Sequence, residues 1–441
     1  MHLDHPNIYR VGSHGESWET IPTEPDDLDK FIIAARRRIE PWLSAVFQAE
    51  HLNILIGSGF TTAVSSIAGS TATAMGKVAL GSEFDGDIDA FAEGEAKLMG
   101  RGVPNIEDQF RSALAVLDGL RVIDAEKARA LKAVLDTKLK EFLNSLLETE
   151  KGIAGAADER RIAAEAALQS FLLSFASRAA SRERLHVFTS NYDRLIEHGC
   201  DLAGLRIIDR FVGALTPVFR SARIEVDVHY NPPGIRGEPR FMEGVVRLSK
   251  LHGSLDWHFI KSERKLVRLG IPFGAPVDHT DMPSNPVDTV MIYPNPAKDV
   301  ETTQYPYAEL FRDFAAATCR PNAVVVTYGY GFGDDHINRV LLDMLTIPST
   351  HLVAIGYSAD ARLKTFLAKT RDAQVSLIIG PHFADLSMLV ENYLPKPTLD
   401  YITGRMTELM RHRSQEPHAE PEPQPPTASA APAADAAGSL S

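Results

Sequence analysis

The sequence predicts an α/β fold built around a parallel sheet. Its last third alternates short apolar runs with helical patterns, for instance residues 323–327 followed by residues 337–345. Such alternation is typical of parallel βαβ units. Two earlier apolar runs, residues 52–56 and 185–188, also end at polar or glycine-containing loops. Both are predicted to be buried strands of the same sheet.

Composition excludes several classes of protein. The chain has 441 residues and a net charge of −12, which argues against direct nucleic-acid binding, because such affinity comes from clustered Lys and Arg. Its two cysteines, Cys200 and Cys319, exclude a disulfide framework and a four-cysteine zinc site. We find no apolar run long enough for a signal peptide or a membrane helix. We therefore expect a cytoplasmic protein that contacts no membrane.

Changes in composition along the chain suggest its organisation. Residues 1–22 are predicted to be a loose N-terminal arm, and residues 23–400 the folded domain. Within that domain, the segment from about residue 85 to residue 182 has helical patterns and is predicted to be a helical insertion. Residues of about 205–290 contain turn signals and alternating runs, which predict a small β-rich insertion. Residues 411–441 are rich in Pro, Ala, Glu and Ser and are predicted to be a disordered tail.

Two loops that follow predicted strands are rich in glycine. Residues 57–62 read Gly-Ser-Gly-Phe-Thr-Thr, and residues 329–333 read Gly-Tyr-Gly-Phe-Gly. Glycine lets backbone N–H groups approach a diphosphate, and the N-terminus of a following helix adds positive potential. A simple turn is the alternative for the first loop, whereas a plain turn rarely needs the three glycines of the second. Asp334 or Asp335 can cap the next helix.

Two further loops carry polar side chains. Asn191 and Asp193 lie two residues apart after the strand 185–188, and His252 precedes a glycine at the end of another predicted strand. Ligands of open α/β sheets bind at the carboxyl ends of strands, so these side chains are candidates for one site. The alternatives are helix capping for Asn191 and Asp193 and a structural role for His252.

Taken in order, the four loops resemble the motif series of the sirtuin fold, an NAD-binding Rossmann-like domain, and in particular the bacterial sirtuin-like branch found in anti-phage defence. Residues 329–337 match the last motif of that branch, and Asn105-Ile106-Glu107-Asp108 and Tyr293-Pro294 with Lys298 also look like it. The chain departs from the sirtuin pattern at Ser58, Tyr192 and Gly331. It also lacks the cysteines of the sirtuin zinc ribbon.

The resemblance implies a set of site residues and no metal. Asn191, His252 and Asp193 would be catalytic. Residues implied to bind the dinucleotide are Gly57, Ser58, Gly59, Phe60, Thr61, Gly329, Tyr330, Gly331, Phe332 and Asp335. The implied fold is a Rossmann-like parallel sheet of the sirtuin type with the two insertions and no zinc ribbon.

The resemblance also implies an activity, hydrolysis of NAD+ to nicotinamide and ADP-ribose. NAD depletion of this kind would act in anti-phage defence by abortive infection. A homo-oligomer or a HerA-type ATPase partner would gate the activity. Two alternatives stay open: an NAD-dependent protein deacylase, and a non-catalytic module that senses NAD or ADP-ribose.

Overall fold

The computed structural model describes residues 5–98, 102–179, 181–221, 227–230, 240–277, 279–282, 290–292 and 305–396. The chain divides into two units, Met1–Pro397 and Thr398–Ser441, and the second lies outside the described residues. The predicted tail therefore lies outside them, as do Tyr293, Pro294 and Lys298.

A nine-stranded sheet, ordered β2-β1-β16-β15-β14-β3-β4-β10-β5, forms the centre of the first unit. All neighbours from β16 to β5 pair in parallel, whereas β1 pairs antiparallel with β16 and with β2. Smaller sheets have the orders β13-β11-β12-β7-β6 and β8-β9. The strands are β1 (Asn7–Val11), β2 (His14–Trp18), β3 (His51–Ile56), β4 (His186–Thr189), β5 (Arg206–Ile208), β6 (Phe211–Val212), β7 (Val218–Phe219), β8 (His229–Tyr230), β9 (Arg240–Phe241), β10 (Val245–Lys250), β11 (Gly253–Ile260), β12 (Lys265–Arg268), β13 (Val290–Ile292), β14 (Ala323–Tyr328), β15 (His351–Gly356) and β16 (Val375–Ile379).

Helices cover both faces of the central sheet. They are α1 (Pro25–Val46), α2 (Ser58–Ala68), α3 (Asp85–Leu98), α4 (Ile106–Ile123), α5 (Ala125–Ala154), α6 (Asp158–Ala176), α7 (Leu195–Leu202), α8 (Tyr307–Thr318), α9 (Asp335–Met344), α10 (Ala361–Leu367) and α11 (Leu386–Met388), which continues into a π-helical turn at Leu389–Tyr393. No helix among the described residues combines the length and apolar character needed to cross a membrane.

Alternation along the strands creates two hydrophobic cores. Ile54 and Ile56 of β3 belong to one core with α1, α2, α6 and α7, and Leu55 belongs to the other with α8, α9 and α10. Successive side chains of a strand point to opposite faces, so a strand covered on both faces is apolar throughout. Every residue of β14 is buried for this reason. The large, mostly parallel α/β sheet flanked by helices is Rossmann-like, as the strand–helix alternation predicted.

Four helices, α3 to α6, lie in the segment 85–182. Asn105 begins α4 with a reciprocal capping box: its side chain accepts from the Asp108 N–H, and Asp108 accepts from the Asn105 N–H, each over 3.0 Å. A third hydrophobic core joins α4 and α5 to Tyr192 of the loop after β4 and to Leu255 of β11. This packing fixes the start of α4 next to the carboxyl end of β4.

The prediction of a loose arm at residues 1–22 is wrong for residues 7–18. Residues 7–18 form the β1–β2 hairpin, which adds to the edge of the sheet through β16, and Ile8 and Tyr9 are fully buried. Gly12 has φ +57 in the turn, and the Tyr9 hydroxyl donates to Glu16 over 2.9 Å. Each strand has only five residues, and pairing with a distant edge strand stabilises it. A short local pattern does not reveal such long-range pairing.

Candidate functional site

A cavity of about 460 Å³ opens at the carboxyl ends of β3, β4, β10 and β14. The helix after β3, α2, packs on one face of the sheet, and the helix after β14, α9, packs on the other. The crevice between these two strands is therefore a topological switch point, where open α/β sheets bind ligands. The predicted site residues that line the cavity are Gly57, Ser58, Gly59, Thr61, Asn191, Asp193, His252, Gly329, Tyr330 and Gly331.

Three predicted site residues do not line the cavity. Phe60 is completely buried in the core, with its ring 4.9 Å from that of Phe171. Phe332 is also buried and packs on Phe366 at 4.9 Å. Asp335 begins α9, and the preceding residue, Asp334, lines the cavity instead. The sequence of a loop does not show which of its side chains pack into the hydrophobic core. Large aromatic rings such as those of Phe60 and Phe332 are stabilised there because they bury a large apolar area.

The glycines of the two loops are required because the loops pack against each other. A Cβ on Gly57 would lie 2.5 Å from the Gly329 carbonyl oxygen, and a Cβ on Gly59 would lie 2.7 Å from Gly329 Cα. Gly329 itself has φ +62. The Gly59 N–H donates to the Gly329 carbonyl over 3.0 Å. Gly331 differs, because a Cβ there would meet only the Arg362 guanidinium, at 3.6 Å.

Asn191 is held by hydrogen bonds in one orientation. Its Nδ2 donates to the Gly57 carbonyl over 3.0 Å and to the Thr61 hydroxyl over 3.1 Å. Because a carbonyl can only accept, the group facing Gly57 must be the NH2. Among the described residues, none donates a hydrogen bond to the Asn191 Oδ1. The side chain lines the cavity, so it offers the cavity an acceptor rather than a donor.

Asp193 fixes the Thr61 hydroxyl that binds Asn191. Its Oδ2 accepts from the Thr61 hydroxyl over 2.7 Å, and its Oδ1 accepts from the Leu195 N–H over 3.1 Å. Lys250, which is buried, donates to the Asp193 carbonyl and to Glu197. Burial raises the pKa of Glu197 above its usual range, and Lys250 opposes that rise. Both carboxylate oxygens of Asp193 are thus engaged with the protein, which makes it a residue that positions Thr61 and Asn191.

His252 has a neighbour at each ring nitrogen. Its Nε2 lies 3.0 Å from Nε2 of His336, and its Nδ1 lies 4.0 Å from a carboxylate oxygen of Glu107. The same Glu107 oxygen accepts from the Tyr192 hydroxyl over 2.6 Å. Burial, followed by the Glu107 charge, raises the pKa of Tyr192 well above its ordinary value. Tyr192 therefore stays a hydrogen-bond donor that holds Glu107 beside the imidazole.

Three of the charged residues that line the cavity were not among the predicted site residues: Glu107, Asp334 and Arg362. Arg362 is the only Lys or Arg that lines the cavity among the described residues, and its guanidinium is held by Asp360 over 2.8 Å. It follows the carboxyl end of β15, so the rule that located the other loops could have found it. Glu107 belongs to the segment Asn105-Ile106-Glu107-Asp108, which looked like the sirtuin-like branch in sequence, but its position at the start of α4 did not show that it lies beside the sheet loops.

The cavity has two features that suit an anion. The N-terminus of α2 lines it; the Gly59 N–H is already bound to the Gly329 carbonyl, but the dipole of α2 gives this end of the helix a partial positive charge. Arg362 supplies a full positive charge on the same cavity. A planar guanidinium suits phosphate, which it can bind through two parallel hydrogen bonds.

The chain matches no protein-family model, and no curated protein sequence is significantly similar to it.

Proposed function

We propose that the protein is an NAD+ glycohydrolase that cleaves the nicotinamide–ribose bond. The observation that carries this proposal is the meeting of Asn191, His252 and both glycine loops in a single cavity at the switch point of the sheet. The cavity volume, about 460 Å³, lies within the range of about 300–1,000 Å³ found for small-molecule sites. The resemblance of the four loops to the sirtuin motif series supports the choice of NAD as the ligand.

In the proposed complex the two ends of NAD bind different parts of the cavity. The diphosphate would lie at the N-terminus of α2, beside the Gly57–Gly329 loop contact, with Arg362 as its cationic partner. The nicotinamide-ribose would lie near Asn191 and His252. A diphosphate held by the dipole of α2 and the Arg362 guanidinium would leave the glycosidic bond on the Asn191 side of the cavity.

The chemistry needs no acid to expel nicotinamide, because the pyridinium is already a cationic leaving group. The C1′–N bond breaks with its electron pair going to nicotinamide, and the ribose develops oxocarbenium character, as in glycoside cleavage. Water then adds at C1′ and releases one proton. The Asn191 Oδ1 would accept a hydrogen bond from that water and orient it, and His252 would bind the ribose hydroxyls or accept the proton.

Asp193 and Thr61 have a supporting role in this proposal. Their hydrogen bonds hold the Asn191 NH2 away from the cavity, so that the carbonyl oxygen faces the substrate. An NH2 group in that place would face the hydrogens of the attacking water, whereas the carbonyl oxygen can accept a hydrogen bond from them. Correct positioning of a reactant contributes strongly to rate, and a misplacement of 1 Å can lower it by about 10²-fold.

We further propose that the hydrolysis depletes NAD during phage infection and that assembly or a partner controls it. An NADase that was always active would harm its own cell. A homo-oligomer is the simplest gate, and a HerA-type ATPase is the partner that the sirtuin-like resemblance suggests.

The direct test incubates the purified protein with NAD, alone at rising concentration and with a HerA-type ATPase, the partner that the resemblance suggests. Nicotinamide and free ADP-ribose in equal amounts are the expected products. An acyl-lysine peptide in a parallel reaction tests for deacylation, whose product is O-acyl-ADP-ribose. If the protein bound NAD measurably but released no product under any of these conditions, the hydrolase proposal would be wrong and a role as an NAD sensor would be favoured.

A further inference from the structure

The wall of the cavity contains a cluster of three side chains that can bind a metal ion. His252, Asp334 and His336 each offer one ligand atom, and these atoms all lie within 4.8 Å of one another. The two histidines are buried, and Asp334 is partly buried. Two imidazoles and one carboxylate form the mixed N/O ligand set that suits zinc and neighbouring divalent transition metals.

The spacing of the two imidazoles agrees with a shared ion. Zinc binds imidazole nitrogen at about 2.0–2.1 Å, which separates two nitrogens in a tetrahedral site by about 3.3 Å. The two Nε2 atoms lie 3.0 Å apart, so a change of a few tenths of an ångström would bring both onto one ion. The His336 ring is held by Phe311 at 4.9 Å and the His252 ring by Tyr192 at 6.3 Å. The two imidazole rings therefore need little movement to bind one ion together.

The surroundings also favour the ion. Glu107 lies 4.0 Å from Nδ1 of His252, the nitrogen that would not bind metal. A carboxylate near that nitrogen favours the tautomer in which Nε2 carries the lone pair and makes the imidazole a better ligand. His252 and Asp334 both line the cavity, which gives an ion and its bound water a route from solvent.

We propose that His252, Asp334 and His336 bind a divalent ion of the zinc class, and that the bound ion inhibits NAD cleavage. The inhibitory part rests on the proposed function. An ion on Nε2 of His252 withdraws that imidazole from the ribose and from the released proton. Its charge also lies where cationic character develops on the ribose during cleavage, which disfavours the transition state. The ion is thus an inhibitor of the reaction and has no part in its chemistry.

The binding test uses the full-length Asn191→Ala protein, so that it does not depend on turnover. Zn²⁺ and Co²⁺ are titrated after treatment with EDTA and dialysis. One tightly bound ion per chain is expected, with the visible absorption of cobalt in a nitrogen–oxygen site. His336→Ala and Asp334→Asn should each weaken binding by at least about 10-fold, as loss of a ligand does. His258→Gln serves as the matched control, because His258 is outside the cluster. Equal binding by the cluster variants and the control would overturn the site.

The inhibition test follows NAD cleavage by the wild-type protein as Zn²⁺ is added. Cleavage should fall as the site fills and recover when EDTA removes the ion. Tight binding without inhibition would overturn the inhibitory role of the ion, whereas the proposed metal site itself would stand. Absence of NAD cleavage from metal-free protein would contradict the proposed function, and the binding test would still decide whether the metal site exists.

Discussion

The side-chain amide of Asn191 donates to the Thr61 hydroxyl over 3.1 Å, and that hydroxyl donates to Asp193 over 2.7 Å. This chain of hydrogen bonds joins the loop after β4 to the first turn of α2. All three residues are buried. The orientation of the Asn191 carboxamide therefore depends on a hydroxyl that lies 130 residues away in sequence.

The Thr61→Val variant tests this dependence. Valine keeps the shape of threonine and removes the hydroxyl, so the Asn191 amide loses one of its two partners. We expect kcat for NAD cleavage to fall by about 10–100-fold, with KM changed much less, because positioning acts mainly on the chemical step. The neighbouring Thr62→Val is the control, since the Thr62 hydroxyl donates only to the Ser58 carbonyl of its own helix. Equal loss of kcat in both variants would argue against the positioning role.

Packing of the glycine loops predicts a contrast between two alanine substitutions. In Gly57→Ala the new Cβ meets backbone atoms at 2.5 and 2.7 Å, which cannot move aside cheaply. Such overpacking typically destabilises by about 1–3 kcal/mol, and urea denaturation measures it. Gly331→Ala meets only a flexible arginine at 3.6 Å and should leave the free energy of unfolding unchanged. Similar stabilities for the two variants would show that the loops do not need to touch.

Arg362 is predicted to bind the diphosphate in the ground state and in the transition state alike. Arg362→Gln should therefore raise KM for NAD by about 10–100-fold and leave kcat nearly unchanged, because a hydrogen bond to a charged group contributes about 1.5–3 kcal/mol. Lys369, exposed near the end of the same helical segment, provides the control variant Lys369→Gln. A fall in kcat with KM unchanged would place Arg362 in the chemical step instead.

Two buried histidines predict how stability depends on pH. Burial lowers the pKa of His186 to about 3 and that of His351 to about 4, with smaller contributions from nearby arginines. Histidine in an unfolded chain has a pKa of about 6.5. Below that pH the unfolded chain binds protons that the folded chain does not, so stability is fully present above about pH 6.5 and falls as the pH decreases towards 4.

Urea midpoints measured at pH 7.5 and 5.0 check this prediction. The decrease between the two should be smaller in His186→Gln and in His351→Gln than in the wild type. Carboxyl groups contribute equally to all three proteins, so the comparison isolates the histidines. Unchanged decreases in both variants would show that other groups control the acid response.

The sequence predicted the parallel sheet and most of the cavity for a physical reason. Strands buried on both faces are apolar throughout, and the loops at their carboxyl ends meet at one edge of the sheet, so Asn191 and His252 could be linked to the glycine loops without a structure. The remaining features depend on long-range packing. The hairpin at residues 7–18 pairs with β16 from the other end of the domain, and the inward position of Phe60 is set by the core it joins.

The cluster of His252, Asp334 and His336 shows the same limit. His252 follows β10, whereas Asp334 and His336 belong to the start of α9 after β14, and no sequence pattern joins the two segments. The packing of α9 on the sheet brings Nε2 of His336 to 3.0 Å from Nε2 of His252.

The central claim is that Asn191 acts in hydrolysis of NAD, and turnover measured beside binding tests it most directly. Release of ADP-ribose by the wild type and Asn191→Ala is compared, with Kd for NAD measured on the same samples. The account predicts a loss of at least about 10²-fold in kcat for Asn191→Ala, with Kd within about threefold of wild type. Turnover by Asn191→Ala close to that of the wild type would contradict it.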